Sequence, residues 1–128
     1  MLLAEANPAH TDARGSISDL VIEDEIGAVA HITFTENAVR GNHIHNHTTQ
    51  WNYVVAGHLE VVIVDADGVR RSNTLRRGGL LRIDPGEAHA LRAEEPTELM
   101  VFTMGPRAGK EYESDTIRLA EPLISSRD

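Results

Sequence analysis

The chain has no cysteine, which excludes disulfides, iron–sulfur clusters and thiolate zinc sites. Any metal here has to be held by histidine, aspartate or glutamate. Aromatic residues make up only 4% of the sequence, so a core must come mainly from Val, Ile, Leu and Ala. Basic residues are outnumbered, 12 Lys and Arg against 20 Asp and Glu, and the formal charge of −8 argues against a nucleic-acid or anionic-membrane partner. No apolar run approaches the roughly 20 residues of a membrane span. The start, Met1 to Glu5, turns charged and meets Pro8 too soon for the apolar core of a signal peptide. The expectation is a soluble cytoplasmic protein. At 128 residues it should form a single domain.

What is present is a series of short strand-like runs separated by turn residues. Met1 to Gly15 mixes Asn-Pro, Thr-Asp and Gly without periodicity and reads as a flexible N-terminal arm over 1–15. Ser16 to Asp24 reads as a strand, and Gly27 to Thr35 as a clearer one. In the latter, Ala28, Ala30, Ile32 and Phe34 share one face, and Val29, His31 and Thr33 the other. Glu36-Asn37 marks a turn, because asparagine accepts a left-handed backbone. Further runs end at Ala56-Gly57-His58, at the hairpin signal Asp67-Gly68, at Arg76 to Gly79 and at Asp84-Pro85-Gly86. Val62, Val64, Leu81, Ile83, Val101 and Phe102 read as core. Turn signals every 8–12 residues describe an all-β sandwich or barrel over 16–104, with a C-terminal tail from 105 to 128 packed on it.

The stretch Arg40 to Gly57 carries the chemistry. His43, His45 and His47 stand at alternate positions, and a strand sends alternate side chains to one face. Two such imidazoles can converge on one ion, since metal–nitrogen bonds are about 2.1 Å. His47 lies one step further, at the rim. By the same alternation Trp51 and Tyr53 should face away from Gln50 and Asn52.

These residues resemble the cupin family. Its first motif is matched by the pair His43 and His45, by Gln50 in the position of the usual glutamate and by the closing Gly57, with Asn37 in place of the opening glycine. The second is matched by Gly78, Gly86 and His89, with Asp84 and Pro85 around the expected proline and Ala93 for the final asparagine. The resemblance implies a double-stranded β-helix, or jelly-roll barrel, in which His43, His45 and His89 converge with Gln50 to bind a divalent transition metal. Zn, Fe, Ni, Cu and Mn are not distinguished. A neutral amide in place of a carboxylate leaves the dication's charge uncompensated and favours an anionic or enolisable substrate, handled by isomerase, dioxygenase or related lyase chemistry.

A narrower likeness links Arg40-Gly41, His43, His45 and Gln50 to the small cupins that isomerise nucleotide-linked keto-sugars. That resemblance implies no metal: His43 and His45 would be the acid/base pair and Arg40 a diphosphate or sugar contact. An imidazole pKa near 6.5 suits such shuttling. A non-catalytic barrel that binds a small molecule is the third expectation. Arg40, His31 and His47 are the candidates for substrate contact. Because exposed strand edges are commonly hidden by pairing with a second copy, a homodimer is expected.

Overall fold

Short β-branched and alternating runs set the strands, and Gly, Pro, Asn and Asp punctuate them. The structure, a computed structural model, describes residues 1–5, 8–106 and 114–126. In chain order its strands are β1 (Leu2–Glu5), β2 (His10–Asp12), β3 (Gly15–Ile17), β4 (Ala28–Phe34), β5 (Val39–His45), β6 (Thr49–Ala56), β7 (His58–Val64), β8 (Arg70–Arg76), β9 (Gly79–Ile83), β10 (Ala88–Ala93), β11 (Thr97–Met104) and β12 (Thr116–Arg118). One antiparallel sheet has the order β1-β9-β6-β11-β4, the other β12-β5-β10-β7-β8, and β2 and β3 form a separate ribbon. Among the described residues no helix is long and apolar enough to cross a membrane.

Between the sheets lies an aliphatic core. Val54, Leu81, Ile83, Leu99 and Val101 enter it from the first sheet, and Leu59, Val61, Ile63 and Leu91 from the second. Phe34, at the end of β4, closes one side. The alternation read along β4 holds, with Val29, His31 and Thr33 exposed and Phe34 buried. The core expectation holds for Leu81, Ile83 and Val101 but not for three others. Val62 is buried in a small outer cluster with Ala90 and Ile124, and Val64 and Phe102 are only partly buried, because each alternates with a residue that points inward.

The expected jelly-roll barrel is corrected. Among the described residues β4 pairs only with β11, β8 only with β7, β1 only with β9 and β12 only with β5, so no ladder joins the two sheets and they stack as an open sandwich. The reason is local. The turn from β4 to β5 does not fold back as a hairpin: Asn37 N–H donates to the Ala93 carbonyl at 2.9 Å, and Ala93 N–H to the Ala38 carbonyl at 3.0 Å. Those bonds fasten the turn to β10, so β5 starts in the second sheet while β4 ends the first. Asn37 takes the left-handed backbone its type allows, with φ 66°.

Two other readings change. Leu2–Glu5, read as part of an arm, is the edge strand β1, registered on Gly79–Arg82. The strand read over Ser16 to Asp24 shrinks to Gly15–Ile17 in the ribbon. Ala6 and Asn7 of the arm, and residues 107–113 and 127–128 of the tail, lie outside the described residues. The rest of the tail packs on the second sheet, where β12 extends β5 and Leu123 and Ile124 lie against Val62 and Ala90.

Candidate functional site

β5 owes its shape to one extra residue. His43 pairs with His89, while Gly41 pairs with Ala90 and Arg40 with Leu91, so Asn42 is bulged out of the ladder. Gly41 and Asn42 reach this geometry with φ of 94° and 57°. Strict alternation would send Arg40 away from His43. The bulge shifts the phase, and Arg40 lines the same cavity as His43 while Asn42 points out toward the C-terminal segment. Space also demands glycine at 41, where a Cβ would sit 2.8 Å from the His89 carbonyl oxygen and 3.2 Å from Ala90 Cα.

Three imidazoles meet beyond the bulge. His43 and His45 come from β5 and His89 from β10. Ring centroids are 4.6 Å apart for His43–His45, 4.6 Å for His43–His89 and 5.2 Å for His45–His89. Their potential ligand nitrogens all lie within 4.8 Å of one another. His89 is oriented by its own turn: Nδ1 is 3.0 Å from the Glu87 carbonyl oxygen. A carbonyl only accepts, so Nδ1 carries the proton and Nε2 the lone pair. His45 Nδ1 is 3.2 Å from the Thr116 hydroxyl of β12.

Burial favours the neutral form of two of these rings, His43 and His89. It is the main cause that lowers His43 to about 4, with the charges of His45 and Arg118 adding to it. Burial also lowers His89 to about 3, helped by His43 and His45 and opposed by the bond to Glu87. Both rings therefore bind protons more weakly in the folded chain than the ordinary 6.5. Below that value the unfolded chain takes up protons that the folded one refuses, so this contribution is whole above pH 6.5 and is lost as the pH falls toward 4 and 3. The melting temperature of chelator-treated protein should accordingly be level above neutrality and drop steadily on acidification. His89→Phe, which cannot take up a proton, should flatten that slope.

Beside the trio opens a cavity of about 640 Å³, lined by β4, β5, β6, β10, β11 and β12. His43 faces it, whereas His45 and His89 are buried behind, each 1% exposed. Gln50 and Asn52 form its amide wall: Gln50 Nε2 donates to Asn52 Oδ1 at 2.8 Å, and Asn52 Nδ2 to the Leu81 carbonyl at 3.2 Å. That leaves Gln50 Oε1 as the acceptor this chain of bonds does not use. Arg40 and Arg118 supply the cavity's positive charge. Arg40 donates to the Thr33 carbonyl at 3.0 Å and lies over the Phe34 ring at 5.2 Å.

The remaining candidates are set apart. His31 borders the cavity, but its ring lies on the exposed face of β4, with Nε2 2.5 Å from Glu98 Oε1. His47 lies in a different depression of about 430 Å³ with Asn46, Pro106, Ser114 and Asp115. Trp51 alternates with the cavity-lining Gln50 and Asn52, as expected. The sequence reading missed Asn52, although it stands two residues after Gln50 on the same face. It also missed Arg118 and Thr116, which lie in a tail without periodicity.

Residues 30–105 match the family model described as the cupin domain. No curated protein matches the chain. Among solved structures it is similar to a 3,4-ketoisomerase from Helicobacter canadensis, with 25% identity, a TM-score of 0.75 and coverage of 91% of this chain and 89% of that one. It is also similar to QdtA, a sugar 3,4-ketoisomerase from Thermoanaerobacterium thermosaccharolyticum solved with TDP, with 20% identity, a TM-score of 0.73 and coverage of 93% and 88%. A third is the dTDP-4-dehydrorhamnose 3,5-epimerase from Sulfolobus tokodaii, with 19% identity, a TM-score of 0.72 and coverage of 84% and 72%. With these last two the likeness is one of fold.

Proposed function

This chain belongs to the cupin family, and we propose that it is an isomerase or epimerase of a sugar-like carbonyl compound carrying an anionic group, such as a nucleotide-linked keto-sugar. The observation that carries this reading is the cavity lining. In a chain of charge −8, no aspartate or glutamate among the described residues lines the cavity, whereas two arginines, His43, His31 and two amides do. Such a wall attracts an anion and, with the His31 ring engaged by Glu98 on the exposed face of β4, presents His43 to the carbon chain. The likeness to sugar ketoisomerases supports the same reading.

The chemistry would run as follows. Neutral His43 takes the proton from the carbon next to the carbonyl, the electron pair of that C–H bond forms a C=C, and the carbonyl π pair moves onto its oxygen to give an enediolate. The proton on His43 then passes to the former carbonyl carbon, while the hydroxyl proton of the first carbon is transferred to the oxygen of the former carbonyl, which ends as a hydroxyl as the first carbon becomes the new carbonyl. Atoms balance, with no oxidant or reductant. His45 lies behind His43, 1% exposed and with its ring centroid 4.6 Å away, so it would act through the His43 ring and not on the substrate itself. An anionic substrate beside His43 favours the imidazolium formed in mid-reaction and raises its proton affinity from the low value of the empty site. Incubation with TDP-4-keto-6-deoxyglucose in D2O should yield an isomer deuterated at the former carbonyl carbon, read by NMR. Unlabelled, unchanged substrate would refute the reading.

A second reading rests on a different observation, the third imidazole. His43, His45 and His89 offer nitrogens within 4.8 Å of one another, with His89 Nε2 left as a lone-pair donor, and Gln50 lines the same cavity as His43. This donor set fits a divalent transition ion. Bound there, such an ion would polarise a substrate carbonyl as a Lewis acid. Metal analysis separates the two readings. Near one equivalent per chain, lost in His89→Ala, together with turnover abolished by chelator, would establish the metal centre. Turnover that survives chelation would establish the imidazole pair.

A further inference from the structure

β12 is three residues long and lies at the edge of its sheet, yet it is held at both ends. Before it, the Asp115 carbonyl accepts from Asn46 N–H at 3.0 Å, and the buried Asp115 carboxylate accepts from His47 N–H at 2.8 Å and from the Thr48 hydroxyl at 2.6 Å. After it, Leu119 N–H donates to the Asn42 carbonyl at 2.9 Å. The bulged Asn42 side chain accepts from Leu123 and Ile124 N–H and donates to the Ile124 carbonyl at 2.9 Å. These bonds fix the position of the short edge strand against β5. The side chain it brings to the cavity is Arg118, paired in register with His43.

Arg118 differs from Arg40 in what it already binds. Arg40 is committed to the Thr33 carbonyl and the Phe34 face. Among the described residues the Arg118 side chain makes no hydrogen bond or ion pair, and no carboxylate lines the cavity to meet it. A guanidinium with its donors unspent, beside a neutral imidazole and at the mouth of an acid-free cavity, is arranged for an oxyanion that arrives with the ligand. We propose that Arg118 is a specificity-determining residue that grips the anionic group of the substrate and so sets the reacting carbon against His43. The proposal deepens the isomerase reading and rests on it for the reacting carbon, though not for the anion.

The oxyanion could be a phosphate of a nucleotide-linked sugar or the carboxylate of a sugar acid, and the test has an arm for each. Inorganic pyrophosphate and glucuronate are titrated into the full chain at low salt by calorimetry, with wild type, Arg118→Gln, Arg118→Lys and the remote Arg76→Gln compared. At least one probe should bind wild type, and the one that binds identifies the source. Arg118→Gln should weaken it about 10- to 100-fold, the size of one charged hydrogen-bonding partner. Arg118→Lys should recover part of that loss, and Arg76→Gln should bind like wild type. Neither probe binding wild type, or Arg118→Gln binding as tightly, overturns the proposal. If anion binding depends on Arg118 but no keto-sugar is turned over, the isomerase reading fails and the anion site stands. If turnover is present with KM unchanged in Arg118→Gln, the reverse holds.

Discussion

His43→Gln should lower turnover of a nucleotide-linked keto-sugar by about 10²- to 10⁴-fold, the span that a positioned acid/base group supplies. His43 is the member of the imidazole trio that faces the cavity, so it is the one able to touch a substrate carbon. Glutamine keeps much of the side chain's bulk and its hydrogen-bonding capacity but accepts no proton in this pH range. The stability of the variant should therefore hold while turnover collapses. A pH profile adds a sharper signature. In wild type, kcat/KM reports the free enzyme, whose His43 is lowered to about 4, so its acid limb should fall near 4 instead of near 6.5. The residual activity of His43→Gln should lack that limb. Equal turnover in variant and wild type would remove His43 from the reaction.

Gly41→Ala should be strongly damaging. It forces a side chain onto a backbone with φ 94°, which costs roughly 1–3 kcal/mol on its own. In addition the new Cβ would stand 2.8 Å from the His89 carbonyl oxygen, a backbone atom of the central strand β10 that has no free direction in which to move. Together these should exceed about 3 kcal/mol, a large share of the roughly 5–15 kcal/mol available to a domain. The result should be a drop in denaturation midpoint with loss of turnover or metal uptake, because the methyl pushes on the backbone of His89, whose ring belongs to the trio. Gly68→Ala is the matched control. It has a similar φ of 81°, but a Cβ there meets nothing within 4 Å, so it should show the strain alone. Equal losses in the two variants would mean that the contact with β10 carries no weight.

The pair His43 and His45 was legible in the sequence because its information is local, two positions in alternation on one strand, whereas His89 joined it only through the likeness to the second cupin motif. The turn at Asn37 was legible for the same reason. Arg40 was named as a substrate contact from a family likeness, but alternation alone would have sent it to the wrong face. The bulge that corrects this depends on how β5 meets β10, which is a long-range fact. Arg118 left no trace, because the bonds that anchor β12 run from Asp115 to the loop between β5 and β6 and from the tail back to Asn42, across some seventy positions or more. The barrel expectation failed at the edges, where pairing is decided by hydrogen bonds of turn residues such as Asn37 and Ala38 to β10 and not by strand patterns.

The spread of the cavity's residues along the chain has a consequence for biosynthesis. His45 and Arg118 are 73 positions apart, and His89 lies between them. At about 5–20 residues per second, a ribosome needs roughly 4–15 s to travel from the first to the last. Throughout that interval the nascent polypeptide carries β5 with its imidazoles exposed and its partner strands not yet made. A chaperone or a stray cation meeting the emerging chain would find isolated histidines and no enclosed chamber. The cavity is complete only once β12, bearing Arg118, has been made and pairs with β5.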